Sequence, residues 1–159
     1  MSAIHDHGRR RAIKSGGAAT LLTLLAAAGW LPPDAAAAAW NKAAFDGKTL
    51  DETVKALGWI TPVRSKDIAF VAAPDIAENG AIVPLTVTSA IPRTEAIAIL
   101  VDKNPTTLVA LFELPPGTEA SIGTRIKMAQ TSMVHALVKA DGKIYMASKE
   151  IKVTLGGCG

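Results

Sequence analysis

The sequence predicts an all-β domain, a sandwich of short strands preceded by one short helix. Three observations point to it. Seven apolar-rich runs, at 68–72, 82–88, 96–101, 108–112, 124–128, 132–139 and 143–155, are separated by turn-forming residues, and short strands at that spacing pack as two sheets. Asp141-Gly142 lies between the last two runs; a two-residue type I′ hairpin needs positive φ at both positions, which Asp-Gly tolerates. In the final run Ile151, Val153 and Leu155 alternate with Glu150, Lys152 and Thr154, the period-two pattern of a strand with one buried and one wet face.

At 159 residues the chain is about one domain long, and residues 1–39 read as an export leader to be set aside before any fold argument. Arg9-Arg10-Arg11-Ala12-Ile13-Lys14 resembles the twin-arginine motif Arg-Arg-x-Phe-Leu-Lys, with Ala12 where Phe is favoured and Ile13 in place of Leu. Residues 15–33 carry no charge, and 35–39 offer Ala-x-Ala cleavage sites. A membrane anchor needs about 20 apolar residues, and glycines, threonines and Pro32-Pro33-Asp34 make this stretch a poor one. The expected division is a twin-arginine-type signal at 1–39, the β-sandwich at 40–155 and a flexible arm at 156–159, with no membrane attachment after cleavage.

The net charge of +3 belongs largely to the leader. Four of the 17 basic residues (Arg9, Arg10, Arg11, Lys14) and two of the 14 acidic ones (Asp6, Asp34) lie there, so the remainder carries +1. A nucleic-acid surface would need a clustered basic face, and none is expected.

The predicted helix begins at Thr49, which with Glu52 three residues on forms a capping box; Leu50, Val54 and Leu57 share one face, and Gly58 stands where the helix would stop. Turn signals follow at Pro74, Asn79-Gly80, Ile91-Pro92, Asn104-Pro105 and Pro115-Pro116-Gly117. Pro84 lies inside its run and cannot donate to a ladder, which predicts an edge strand or a bulge there. In the last strand the three apolar residues are expected to be buried and to hold the register, with regular order ending at Gly156.

Gly156-Gly157-Cys158-Gly159 closes the chain and contains its one cysteine. Glycine admits backbone conformations closed to other residues, so the thiol is expected on a mobile tether; Gly156, Gly157 and Cys158 extended span about 10 Å. A lone cysteine in an exported protein is either a reactive thiol or a crosslink between copies. The Gly159 carboxylate one residue away disfavours the thiolate, and Lys152 is the nearest cation in sequence. A sulfur so placed attacks slowly alone and needs a receiving pocket to activate it.

Catalytic groups are sparse. Beyond the leader there is one histidine, His135, and one cysteine, so no cluster has zinc-site spacing, and no G-x-S-x-G, phosphate loop or H-E-x-x-H occurs. A Cys158–His135 dyad would lack the locked supporting shell that catalysis needs, and His135 is expected to be a half-exposed strand residue.

The terminal Gly156-Gly157-Cys158-Gly159, the preceding Ala147-Ser148-Lys149-Glu150-Ile151-Lys152-Val153-Thr154, the stretch Pro74-Asp75-Ile76-Ala77-Glu78-Asn79-Gly80-Ala81, and Val101-Asp102-Lys103-Asn104-Pro105 resemble SoxY, the sulfur-compound carrier of the bacterial Sox thiosulfate-oxidising system. The family commonly ends Gly-Gly-Cys-Gly-Gly, whereas this sequence stops at Gly159. The resemblance implies an immunoglobulin-like sandwich in the periplasm, reached by the twin-arginine route through Arg9 and Arg10, and a heterodimer with SoxZ. It implies a non-catalytic carrier without a cofactor or metal of its own, bearing intermediates covalently on Cys158, with Gly156, Gly157 and Gly159 as the hinge. SoxAX would join thiosulfate oxidatively to the thiol, SoxB would hydrolyse off sulfate, and SoxCD, where present, would oxidise the remaining sulfane sulfur. The competing reading is an immunoglobulin-like interaction module whose terminal cysteine forms an intermolecular disulfide.

Overall fold

The computed structural model describes residues 41–157. Residues 1–40, with the expected export motif at Arg9 and Arg10, and Cys158 and Gly159 lie outside the described residues. Two short helices, α1 (Lys42–Asp46) and α2 (Leu50–Ala56), precede nine strands: β1 (Val63–Arg64), β2 (Ile68–Ala72), β3 (Ile76–Asn79), β4 (Val83–Ser89), β5 (Thr94–Val101), β6 (Leu108–Glu113), β7 (Ser121–Ile126), β8 (Ser132–Ala140) and β9 (Lys143–Leu155). The larger sheet has the order β1-β9-β8-β5-β6, with β3 also paired to β9; the smaller is β2-β4-β7.

The helices start as their sequences dictate. The Asn41 side chain accepts from the Ala44 amide at 3.1 Å and caps α1, which the sequence reading did not anticipate. Thr49 accepts from the Glu52 amide at 3.2 Å, satisfying one of the amides that a helix start leaves open, while the Glu52 carboxylate accepts from the Lys48 amide, just before the cap, at 2.8 Å. Gly58, at φ +67°, ends α2 in the left-handed conformation.

The two sheets enclose a core of Val83, Leu85 and Val87 from β4, Ile97, Ile99 and Val101 from β5, and Val134, Ala136 and Val138 from β8. The opposite face of the larger sheet is also covered. Ala98, Leu100 and Leu137 pack there against Ala44, Val54, Phe45 and Leu50, so the helices form a third layer. Strands buried on both faces are apolar almost without interruption, as Ala96-Ile97-Ala98-Ile99-Leu100-Val101 is.

Two expectations need correction. β4 is the centre of its sheet, not an edge: it pairs with β2 on one side and β7 on the other. Pro84 is accommodated because β2 has ended by then, its last partner being Thr86, and only β7 flanks Pro84. In β9 Ile151 is fully buried and Val153 partly so, but Leu155 is 65% exposed. Past Ile151 the strand leaves β8 and pairs instead with the four-residue β3, so the main-chain ladder, not a third buried side chain, holds its end.

Candidate functional site

β9 delivers the chain to its terminus, and its last residues are held from both sides. Parallel pairing sets Ile76 against Lys152, Ala77 against Val153 and Asn79 against Leu155. On the other flank the Thr131 hydroxyl accepts from the Val153 amide at 2.9 Å, standing in for the backbone that β8 no longer supplies. Thr154 Oγ1 donates to the Glu78 carbonyl at 2.9 Å, and the Lys149 ammonium donates to the Ala73 carbonyl at 2.7 Å and pairs with Asp75 at 3.0 Å.

Beyond Leu155 the backbone enters a seat built from main chain. The Gly80 amide donates to the Leu155 carbonyl at 2.7 Å, the Met128 amide to the Gly80 carbonyl at 2.8 Å, and the Gly157 amide to the Met128 carbonyl at 3.0 Å. The walls fit so closely that side chains are excluded. A β-carbon on Gly156 would lie 2.2 Å from the Ala129 carbonyl oxygen, one on Gly157 1.9 Å from the Ala81 nitrogen, and one on Gly80 2.3 Å from the Met128 carbonyl oxygen. β9 itself ends at Leu155, in line with the expected end of regular order at Gly156, and the backbone of Gly156 and Gly157 continues into the seat. In this conformation Gly156 and Gly157 serve close backbone approach, and their conformational freedom is not what the packing uses.

The 127–129 wall is held in turn by Asn104. Its Nδ2 donates to the Lys127 carbonyl at 2.8 Å and its Oδ1 accepts from the Ala129 amide at 3.0 Å. Thus the stretches 74–81, 101–105 and 147–154, which carry the resemblance in sequence, meet at one corner of the molecule together with Gly156 and Gly157 of the terminal stretch. Neither β3 nor the linking roles of Gly80 and Asn104 was read from the sequence, where Asn79-Gly80 and Asn104-Pro105 stood as turn signals. The signal available was that these turns recur in the family-like stretches.

His135 sits elsewhere and is buried, at 9% exposure, contrary to the half-exposed setting expected. Its Nδ1 lies 2.7 Å from Ser148 Oγ and its Nε2 2.9 Å from Asp102 Oδ1. Ser148, its cross-strand partner, is seven strand positions before Leu155, roughly 23 Å at the usual rise. Three further residues extend by at most about 11 Å, so the terminal cysteine does not reach the imidazole. Among the described residues no group of three or more His, Cys, Asp or Glu side chains is placed to hold a metal ion, and no helix is long and apolar enough to cross a membrane.

Residues 54–158 match the family described as sulfur oxidation protein SoxY. Among solved structures, the sulfur carrier protein SoxY from Chlorobium limicola f thiosulfatophilum is similar at 37% identity and a TM-score of 0.59, covering 66% of this chain and 94% of that one. A superoxide reductase (neelaredoxin) from Ignicoccus hospitalis aligns at 17% identity over 54% of this chain and 78% of that one, with a TM-score of 0.48. No curated protein matches the chain.

Proposed function

The chain belongs to the SoxY family, and from that premise we propose that it is a sulfur carrier, holding thiosulfate-derived intermediates covalently on Cys158 and presenting them to partner enzymes. One observation carries the reading: a chain of this family holds its single cysteine at position 158, just beyond a diglycine that follows the long strand β9. The chain is a non-catalytic subunit in this reading, and the chemistry belongs to the enzymes it visits.

Loading forms an S–S bond between Cys158 Sγ and the outer sulfur of thiosulfate. The thiol loses its proton, and the two electrons would pass, one at a time, to a haem-containing oxidant, a SoxAX-type partner. Water then displaces the terminal sulfonate as sulfate, breaking the S–S bond within the former thiosulfate, releasing two protons and leaving a persulfide on Cys158. Oxidation of that sulfane sulfur to a second sulfonate takes three waters and releases six protons and six electrons to a SoxCD-type acceptor. A final hydrolysis returns the thiol. Each adduct is open to exchange with free thiols, and the chain has no second cysteine to compete. Glycine flanks keep the arm slender enough to enter several pockets, with Gly156, Gly157 and Gly159 as its hinge once it is presented. SoxZ is the proposed heterodimer partner. Export of the folded protein to the periplasm proceeds through Arg9 and Arg10; replacing both by Lys is expected to leave precursor in the cytoplasm.

Intact mass of the exported protein, taken before and after mild reduction and after incubation with thiosulfate and the partner enzymes, tests the assignment. Mass increments of sulfur and sulfonate on Cys158, absent in Cys158→Ser while the fold persists, are expected. Normal loading of Cys158→Ser, or a disulfide dimer as the sole modified form, would overturn it.

A further inference from the structure

Asn104 uses both ends of its amide on the two residues flanking Met128: Nδ2 donates to Lys127 and Oδ1 accepts from Ala129. Met128 itself is fully buried, and its backbone makes the two hydrogen bonds that matter at the terminus, donating to Gly80 and accepting from Gly157. Asn104 thus touches neither glycine, yet it fixes the loop that holds both. The neighbouring bonds make the clamp stiff. The Lys103 amide donates to Ser132 Oγ at 3.0 Å and the Asp102 amide to the Met133 carbonyl at 3.2 Å, which ties the 102–104 segment to the start of β8. The Asn104 amide offers a donor and an acceptor at once, whereas ionised Asp would keep only the acceptor.

We propose that Asn104 is a positioning residue for the terminal arm: by clamping residues 127–129 it shapes a seat that accepts a Gly-Gly backbone, and so sets how often Gly157 is docked and the residues beyond it held back. The hold is shallow by construction. The Gly157 amide makes one hydrogen bond in the seat, and the rest is close backbone contact without an apolar side chain to bury. Such a contact opens far more readily than the core strands, so docking and release are two states of the same arm. The consequence for transfer rests on the carrier reading above; the seat itself does not.

Amide hydrogen exchange in the full chain tests it. In the unmodified protein the Gly157 amide is expected to exchange about tenfold or more slowly than in a free peptide of residues 152–159. Asn104→Ala should bring it to within about twofold of that peptide, and Asn104→Asp to an intermediate rate, while Ile99 and Val138 in the central strands keep their protection. Alkylation of Cys158 by iodoacetamide at constant pH should quicken in the same order. Gly157→Ala, which spoils the fit from the arm's side, should match Asn104→Ala at Cys158 and decides the matter if Asn104→Ala loses core protection. Free-peptide exchange at Gly157 in the unmodified protein overturns the proposal, as does unchanged exchange and alkylation in these variants. Sulfur loading measured on the same samples separates the two readings: a protected Gly157 with no loading of Cys158 counts against the carrier role alone.

Discussion

His135 illustrates how one residue's role depends on contacts no local pattern carries. Its sequence neighbours Met133, Val134, Ala136 and Leu137 mark a strand, but Ser148 and Asp102 lie 13 and 33 residues away. Both ring nitrogens are paired, Nδ1 with Ser148 Oγ and Nε2 with Asp102 Oδ1. Breaking a buried polar network leaves its remaining members unsatisfied, so His135→Ala is expected to cost about 1–3 kcal/mol, read from urea denaturation. Loading of Cys158 should be unchanged, because the ring is out of the arm's reach. A loss of loading at full stability would instead place the imidazole in the chemistry.

Among the elements, the strands carried by alternation or by long apolar runs were legible almost residue for residue: β2, β5, β8 and β9 stand where the pattern put them. β3 was not, because four residues beginning just after Pro74 and ending at Asn79-Gly80 look like a turn until β9 is beside them. Its junction with the terminus gives a sharp prediction. Gly80→Ala forces a β-carbon against the Met128 carbonyl and is expected to destabilise by about 1–3 kcal/mol, the usual range for overpacking, with the loss of protection centred on residues 152–157. Equal loss throughout the sheet would refute that localisation. At the other end, the β8–β9 hairpin turns as foreseen, with Asp141 at φ +49° and Gly142 at +70°. Hydrogen bonding and charge from the Arg93 guanidinium hold the Asp141 carboxyl below its usual range, and Lys139 does the same for Glu95. A carboxyl whose pKa is lower folded than unfolded stabilises the native state above its unfolded value, and that contribution disappears as pH falls through the folded one. Asp141→Asn keeps a residue that tolerates positive φ but removes the charge. Thermal melts should therefore show a shallower fall in stability below about pH 4 than in the unmodified protein, by a small amount, since these pairs are exposed. An identical acid limb would remove Asp141 from the account.

At the scale of the whole molecule, the sandwich was legible from strand spacing and the helix at Leu50–Ala56 from its cap and apolar face, but α1 and the sheet face that both helices cover were not, although a trace of that cover is in β5: an unbroken apolar run has no wet face. Leu137 on β8 points to that layer and is fully buried, while its neighbour Val138 faces the sandwich. Leu137→Ala is expected to cost about 2–5 kcal/mol and to loosen α1 and α2 first, seen as early loss of amide protection at Val54; uniform loss would mean the three layers unfold as one. The long final strand links these layers to the terminus. In the carrier reading, a catalyst that draws the last residues into itself pulls along β9, whose antiparallel bonds to β8 run across the direction of tension, with the slanted bonds of the parallel β3 pairing nearest the end. A load applied that way is shared among many bonds at once, where a strand peeled sideways would give them up one by one. The body can thus be tugged repeatedly from its end without fraying.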